Sequence, residues 1–195
     1  MSISTLNELA IKVVADMPSF PPENVVLDKL RWAWEELLEG SEVWREELDP
    51  IDAVEDQADY TLTPSAGVVI RIIKVEVDDT ELDPSEYKMT STDTLTFEED
   101  SVPTDDGTDN IDVEVAIAPD INGTNGPAWV LNRFSKGIVH GARFALYRML
   151  RKPWTDPDPN FRNRDAEKEL WEEAISKAII ARRQHRTTRP VGFSA

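Results

Sequence analysis

Cysteine is absent from this 195-residue chain, which removes disulfides, thiol nucleophiles and thiolate metal ligands. That absence fits synthesis in a reducing compartment. No run of about eighteen apolar residues occurs, so no segment reads as a membrane-spanning helix. Histidine is scarce: His140 and His185 stand far apart, and neither has a partner at metal-ligand spacing. His140 falls within a helical pattern, where a satisfied packing or surface histidine is the simpler reading. Glycine-rich phosphate loops and nucleophile elbows are also missing. The opening Met1-Ser2-Ile3-Ser4 lacks the basic and apolar stretches of a secretory signal, and the expectation is synthesis in the cytoplasm.

Carboxylates, by contrast, number 38, so abundant that any two could be named an acid–base couple and the pattern selects none. The expectation is a protein that is not an enzyme, with no catalytic residue, no cofactor and no metal site. Asp105-Asp106-Gly107-Thr108-Asp109-Asn110 invites a calcium reading, but Val102 and Thr104 stand where an EF-hand loop needs acids. A solvated turn accounts for it better. Asn122-Gly123-Thr124 matches a glycosylation acceptor and reads as a turn.

The charge that is present is divided. Residues 1–122 carry 31 acidic and 7 basic side chains, whereas residues 123–195 carry 7 acidic and 14 basic, within a net charge of −17. Opposed fields on one small protein fix its orientation among neighbours, and a pI near 4.4 opposes nucleic-acid binding by the whole surface. With 40% hydrophobic residues and six tryptophans the chain is globular despite this acidity.

Hydrophobic periodicity lays out the elements. A short first helix runs from Ser4 or Thr5 to about Met17, with Leu6, Leu9, Ile11, Val13 and Val14 as its apolar face. A second opens at Pro22-Glu23 and ends at Gly40, a glycine cap, with Val26, Leu30, Trp34, Leu37 and Leu38 at helical spacing. From Ser41 the period becomes two. Residues 43–48 and 51–54 form an extended strand kinked at Asp49-Pro50. Tyr60 to Leu62, Val68 to Val77, Leu82, Tyr87 to Met89, Leu95 to Phe97 and Ile111 to Ala118 supply further strands. Asp100 to Asn110 reads as an exposed, mobile loop. Asn122-Gly123 and Asn125-Gly126 close the β region. A long helix then runs from Pro127 to about Leu150, with Val130, Phe134, Ile138, Ala142, Ala145 and Met149 buried. After the elbow Asp156-Pro157-Asp158-Pro159, a last helix spans 160–184, with Ala166, Leu170, Ala174, Ala178 and Ala181 on one face. The two long helices are expected to form an antiparallel hairpin.

The fold class that follows is α+β. Residues 1–41 and 123–186 make an α-helical bundle from both chain ends, 42–122 an inserted acidic antiparallel β domain, and 187–195 an extended C-terminal arm. Arg182, Arg183, Arg186 and Arg189 lead into that arm, which carries Val191 and Phe193. Cations at a helix C-terminus are favourable in themselves. Four arginines before a small uncharged tail look more like a docking arm that orders on binding. The tryptophans are mostly core, although Trp32 and Trp34 cannot both be central to one helix face, which leaves one for a neighbour.

The series from Leu27 to Leu82 resembles a known family. A helix holding Leu30-Arg31-Trp32-Ala33 ends near a glycine and runs into Val43-Trp44-Arg45-Glu46-Glu47-Leu48-Asp49-Pro50-Ile51-Asp52. Asp59-Tyr60-Thr61-Leu62, the strand with Val69-Ile70-Arg71-Ile72-Ile73-Lys74-Val75, and Leu82 follow. This order resembles the head-to-tail adaptor (connector) proteins of tailed bacteriophages, in particular the tail-tubular-protein-like adaptors. The family's element order covers most of the chain, although the loop from Asp100 to Asn110 matches no pattern in it.

The resemblance implies a structural virion protein of the neck, made in the host cytoplasm. It would form a homo-oligomeric ring, a dodecamer, between the portal protein and a tail or nozzle protein. Duplex DNA would pass through the lumen without specific binding, and no membrane is involved. By analogy with adaptors that dock through their C-terminal tails, Arg182, Arg183, Arg186, Arg189, Val191 and Phe193 would be the portal-docking residues. Carboxylates of the β region would line the lumen, where like charge lets phosphates slide. Like-charged subunits would stay apart until a template gathers them. Two other classes remain open. One is a nucleic-acid-binding module using the basic C-terminal helix. The other is an acid hydrolase built on two carboxylates.

Overall fold

Leu6, Leu9, Val13 and Met17 recur at helical spacing, and all four are buried on the inner side of α1 (Asn7–Val14). Ile11 is 78% exposed, contrary to the expected apolar face. Two residues beyond Leu9 a helix has turned by about 200°, so Ile11 points away from that side. The computed structural model describes residues 5–120, 126–158 and 161–184, with the side chains of Arg183 and Gln184 outside that description. Within it the protein is a mixed α+β structure with antiparallel sheets.

Helix α2 (Glu23–Ser41) buries Val26, Leu30, Trp34, Leu37 and Leu38, as the period demands. Its end departs from expectation. Gly40 remains helical, and the left-handed position falls on Glu42 (φ 50°), whose N–H reaches the Leu38 carbonyl at 2.8 Å. A side chain in this conformation costs roughly 1–2 kcal/mol, which the surroundings of Glu42 must offset.

The kinked strand is two short pieces, β1 (Arg45–Glu47) and β2 (Ile51–Ala53), either side of Pro50. β3 (Asp59–Thr61), β4 (Val68–Val77), β5 (Thr80–Glu81), β6 (Tyr87–Ser91), β7 (Thr94–Phe97) and β8 (Gly107–Ala118) follow. Both β1 and β2 pair with β8, while β4 lies on β8's other edge and turns back into β5. The second sheet has the order β3-β7-β6. Alternation puts Val75, Ile111, Val113 and Val115 inside the first sheet, and Tyr60, Leu95 and Phe97 inside the second. Tyr60 meets Phe97 edge-on, with ring centroids 5.5 Å apart.

The expected loop from Asp100 to Asn110 is shorter than the sequence implies. A 3-10 turn occupies Glu99–Ser101, and residues 107–110 already belong to β8. There Ala53 lies opposite Gly107, and Asn110 Oδ1 accepts the Ala53 N–H at 2.9 Å. A polar run can thus be strand when its neighbour supplies the ladder. Of the turns expected to close the β region, residues 122–125 lie outside the described residues.

Helix α3 (Ala128–Tyr147) ends before the expected Leu150. Leu146 is buried rather than Ala145, and Val130, Phe134, Ile138 and Ala142 are buried as expected. Helix α4 (Arg162–Gln184) buries the expected face in its second half and departs from it in its first. Trp171, Ala174, Ala178 and Ala181 are inside, while Ala166 is exposed and Leu170 is 43% exposed. A single tryptophan shifts the stripe, because its area outweighs that of alanine. Trp34 is fully buried, whereas Trp32 is half-buried and packs at a tilt on Trp171, 6.4 Å between centroids.

Two glycines let these helices approach. A Cβ on Gly137 would stand 2.2 Å from the Ala174 Cβ, and one on Gly141 would stand 2.9 Å from both Ala33 and Trp171. Gly137 thus lies beside Ala174, Gly141 beside Trp171, and His140 beside Glu167, so α3 and α4 run antiparallel. At Gly141 α3 also meets α2.

Candidate functional site

The left-handed turn at the end of α2 throws the Glu42 carboxylate into the angle between the helices and the first sheet. Three arginines converge on it. Oε1 receives Arg71 Nη1 of β4 at 2.7 Å, and Oε2 receives Arg182 Nη1 of α4 at 2.8 Å, with Arg45 Nη2 of β1 at 3.8 Å. Arg182 also donates to the Ser41 carbonyl at 3.3 Å, occupying an acceptor at the helix end. The Glu42 side chain is only 12% exposed, which shelters its pairs with Arg45 and Arg182, whereas Arg71 is 63% exposed and its pair is screened by solvent. Glu42 therefore joins both ends of the chain to the β region. The sequence carries little sign of it beyond a carboxylate following a helix.

Arg182 is one of the six residues expected to dock a partner, and its guanidinium is engaged within the chain. Arg183 belongs to α4, and its side chain lies outside the described residues, as do Arg186, Arg189, Val191 and Phe193. The six are not brought together among the described residues.

At the far end of the β region the acidic loops are tied to one another. Asp106 Oδ1 accepts the Glu55 N–H at 2.8 Å, Asp52 Oδ1 accepts the Asp109 N–H at 2.8 Å, and Asp78 Oδ1 accepts Asn110 Nδ2 at 3.2 Å. These contacts bond each carboxylate to amides, with no cation among them. Among the described residues no group of three or more His, Asp or Glu side chains is arranged to hold a metal ion. Residues 42–120 hold 24 carboxylates and four cations. Each of the four is already paired: Arg45 with Glu114, Arg71 with Glu42, Lys74 with Glu76 and Lys88 with Glu98. The Glu76 hydrogen bond, more than the surrounding negative charge, holds the Lys74 ammonium above its ordinary pKa.

The helical residues differ. Segments 5–41 and 126–184 together carry 14 acids and 15 cations. The charge division seen along the sequence is thus, in space, a division between a near-neutral helical part and a strongly acidic β part.

Several of the helical charges are internal. Arg143 is 8% exposed; its Nε donates to the Val13 carbonyl at 2.9 Å, and Nη2 to the Lys12 carbonyl and to Asp16 at 2.7 Å. Its Nη1 lies 3.6 Å from Glu167, whose other oxygen meets His140 Nδ1 at 2.5 Å. Sequence reading missed Arg143, since an arginine inside an apolar stripe gives no periodic signal. His140 is a packing histidine held by Glu167.

No protein-family model matches this chain, and no curated protein matches it. Among the described residues no helix is long and apolar enough to cross a membrane.

Proposed function

We propose that this protein is a head-to-tail adaptor of a tailed bacteriophage, a structural virion component that joins the portal to the tail around the DNA channel. In this reading the helices from both ends of the chain form one bundle, which seats against the portal. The acidic β domain inserted between them faces the passing genome and the tail. The charge of the β part carries the reading: its few cations are all spent on internal pairs, leaving a large net negative surface. Such a surface repels phosphate at every contact and lets duplex DNA move without sticking. Arg183, Arg186, Arg189, Val191 and Phe193 remain the candidate portal-docking residues of the stretch from Arg182 to Ala195, while Arg182 also serves the chain's own α2–β1 junction.

The test is negative-stain electron microscopy of the purified protein, alone and mixed with the portal encoded in the same genome. Portal rings that gain a second layer in the mixture are the expected result. Bare portal rings beside unattached protein would overturn the reading and return nucleic-acid binding through the basic C-terminal helix to the front.

A further inference from the structure

Two faces of the helical part are left uncovered by the described residues, and they are complementary in charge. The first lies between α3 and α4. On α4, Trp171 packs on Trp32, Ile175 approaches Gly40 and Arg182 reaches Ser41, so these residues face α2. Leu170, Glu173, Lys177 and Ile180 lie on the other side of the same helix, at about 100° of rotation per residue. With Arg133 and Lys136 of α3 they border a groove of about 420 Å³, floored by Phe134. Leu170 is 43% and Ile180 57% exposed there, an apolar strip open to solvent. Glu173 is paired with Lys177 at 2.7 Å, while Arg133 and Lys136 are exposed and meet no carboxylate among the described residues.

The second face is the outer side of α2. Asp28, Glu35 and Glu39 fall on one stripe, with Glu36 beside it. Glu35, Glu36 and Glu39 have no ion pair among the described residues. Partial burial, then repulsion from Glu39 and Asp28, raises the Glu35 carboxyl above its ordinary pKa, with Arg31 acting in the opposite sense. Like charges are concentrated on this stripe more than internal packing requires.

Their heights differ by less than two helical turns. Gly141 of α3 is level with Ala33 of α2 and Trp171 of α4, Gly137 with Ala174, and Gly40 with Ile175. Moving from Ala33 towards Gly40 therefore means moving up α4 towards Ile180 and down α3 towards Arg133. Glu35, Glu36 and Glu39 lie just short of the Gly40 level; Lys136 stands at that level, and Lys177 and Arg133 stand about 3–5 Å beyond it at about 1.5 Å per residue. A rotation combined with a shift of several ångströms, within the reach of lysine and arginine side chains, brings one copy's glutamates onto the next copy's cations. A heterologous contact of this kind can close into a ring.

We propose that the groove between α3 and α4 receives helix α2 of a second copy of this chain, Glu35, Glu36 and Glu39 of one copy meeting Arg133, Lys136 and Lys177 of the next. This names the subunit contact of the adaptor ring and rests on that reading for the ring alone. The two faces stand without it.

The full chain, as an equal mixture of natural-abundance and nitrogen-15-labelled protein, is treated at millimolar concentration and low salt with a carbodiimide that joins carboxylates to amines. Peptides linking Lys136 or Lys177 to Glu35, Glu36 or Glu39 across the two isotopes are the expected result. Reversing the groove (Arg133→Glu with Lys136→Glu) or the helix (Glu36→Lys with Glu39→Lys) is expected to lower the linked dimer about tenfold or more, because like charges then face each other. An equimolar mixture of the two reversed proteins restores it, which a misfolded variant could not do. Absence of cross-isotope links in the natural protein, or no recovery in the mixture, overturns the proposal. Portal layers that still form with each reversed variant on its own remove the contact from the ring and leave the adaptor reading standing. Charge-dependent links beside bare portal rings do the reverse.

Discussion

The helices and the β region handle charge in opposite ways. In the helical part charge works inside: Arg143 and Asp156 are 8% and 7% exposed, Arg143 held by partners from α1 and α4, Asp156 by the start of α4. In the β region the interior is apolar, and apart from Glu42 the carboxylates lie toward the surface, where several accept amides and hydroxyls of the loops. The difference teaches that one kind of substitution, loss of a charge, should have opposite signs in the two regions. A buried charge whose partners remain becomes a liability when removed, whereas a surplus surface charge of the majority sign was a liability already.

The largest effect is expected at Arg143. Replacement by methionine keeps much of the volume but leaves Glu167 and the carbonyls of Lys12 and Val13 without their donor. The expected loss is about 3–5 kcal/mol, the usual consequence of breaking a buried pair from one side. Urea unfolding followed by tryptophan fluorescence measures it. A loss below about 1 kcal/mol, the level of a surface pair, would erase the contrast between the regions.

Asp156 comes next. It lies in the elbow before α4 and accepts the Arg164 N–H at 2.7 Å, the Asp158 N–H at 3.0 Å and Asn163 Nδ2 at 2.9 Å, so it satisfies an orphan donor at the start of that helix. Burial alone pushes its carboxyl up, yet these hydrogen bonds outweigh burial and hold it below the ordinary range. A carboxyl with a depressed folded pKa adds stability that is complete above the unfolded value, about 3.9, and is lost as pH falls through the folded one. Asp156→Ala is expected to cost about 1–3 kcal/mol at neutral pH. The natural protein should also lose stability below about pH 4 more steeply than Asp156→Asn does. Parallel pH profiles for the two proteins would show that Asp156 contributes no such linkage.

The same contrast marks what was legible in the sequence. Helix α2 and the inner half of β8 are readable because their inner faces are built from large apolar side chains at a regular period. Strand β4 is readable because it is a continuous apolar run, although two register shifts against β8 bury Val69, Ile72 and Val75 at every third residue. Helix α4 is legible in part: of the stripe Ala166, Leu170, Ala174, Ala178 and Ala181 the last three are buried, but Trp171 fills the earlier place and leaves Ala166 and Leu170 outside. Gly40 misleads, since the strained position falls two residues later, where three arginines hold a glutamate. The charge division is legible as a difference between two halves, but the chain order hides that its spatial boundary follows the β insertion. Arg143, Glu42 and Asp156 leave no periodic trace, because most of their partners are distant in the chain (Val13 and Asp16 for Arg143, Arg71 and Arg182 for Glu42) or are backbone amides with no side-chain identity, as for Asp156. The expected docking residues fare worst, since five of the six side chains fall outside the described residues.

The smallest effect has the most informative sign. Glu55, Asp79 and Glu99 are exposed, and their carboxylates make no hydrogen bond or ion pair among the described residues. Each adds to a field in which all four cations are already engaged. The triple substitution Glu55→Gln, Asp79→Asn and Glu99→Gln is expected to raise stability by about 0.3–1 kcal/mol at low salt. Asn tolerates the left-handed backbone that Asp79 adopts (φ 60°), so backbone strain does not mask the gain. The gain should shrink as added salt screens the field over about 10 Å. Calorimetry at low and high ionic strength reads both the sign and the screening. A loss of stability at low salt would mean that these carboxylates are held in place by favourable contacts, and the β surface would then be a structured acidic array rather than a surplus of charge.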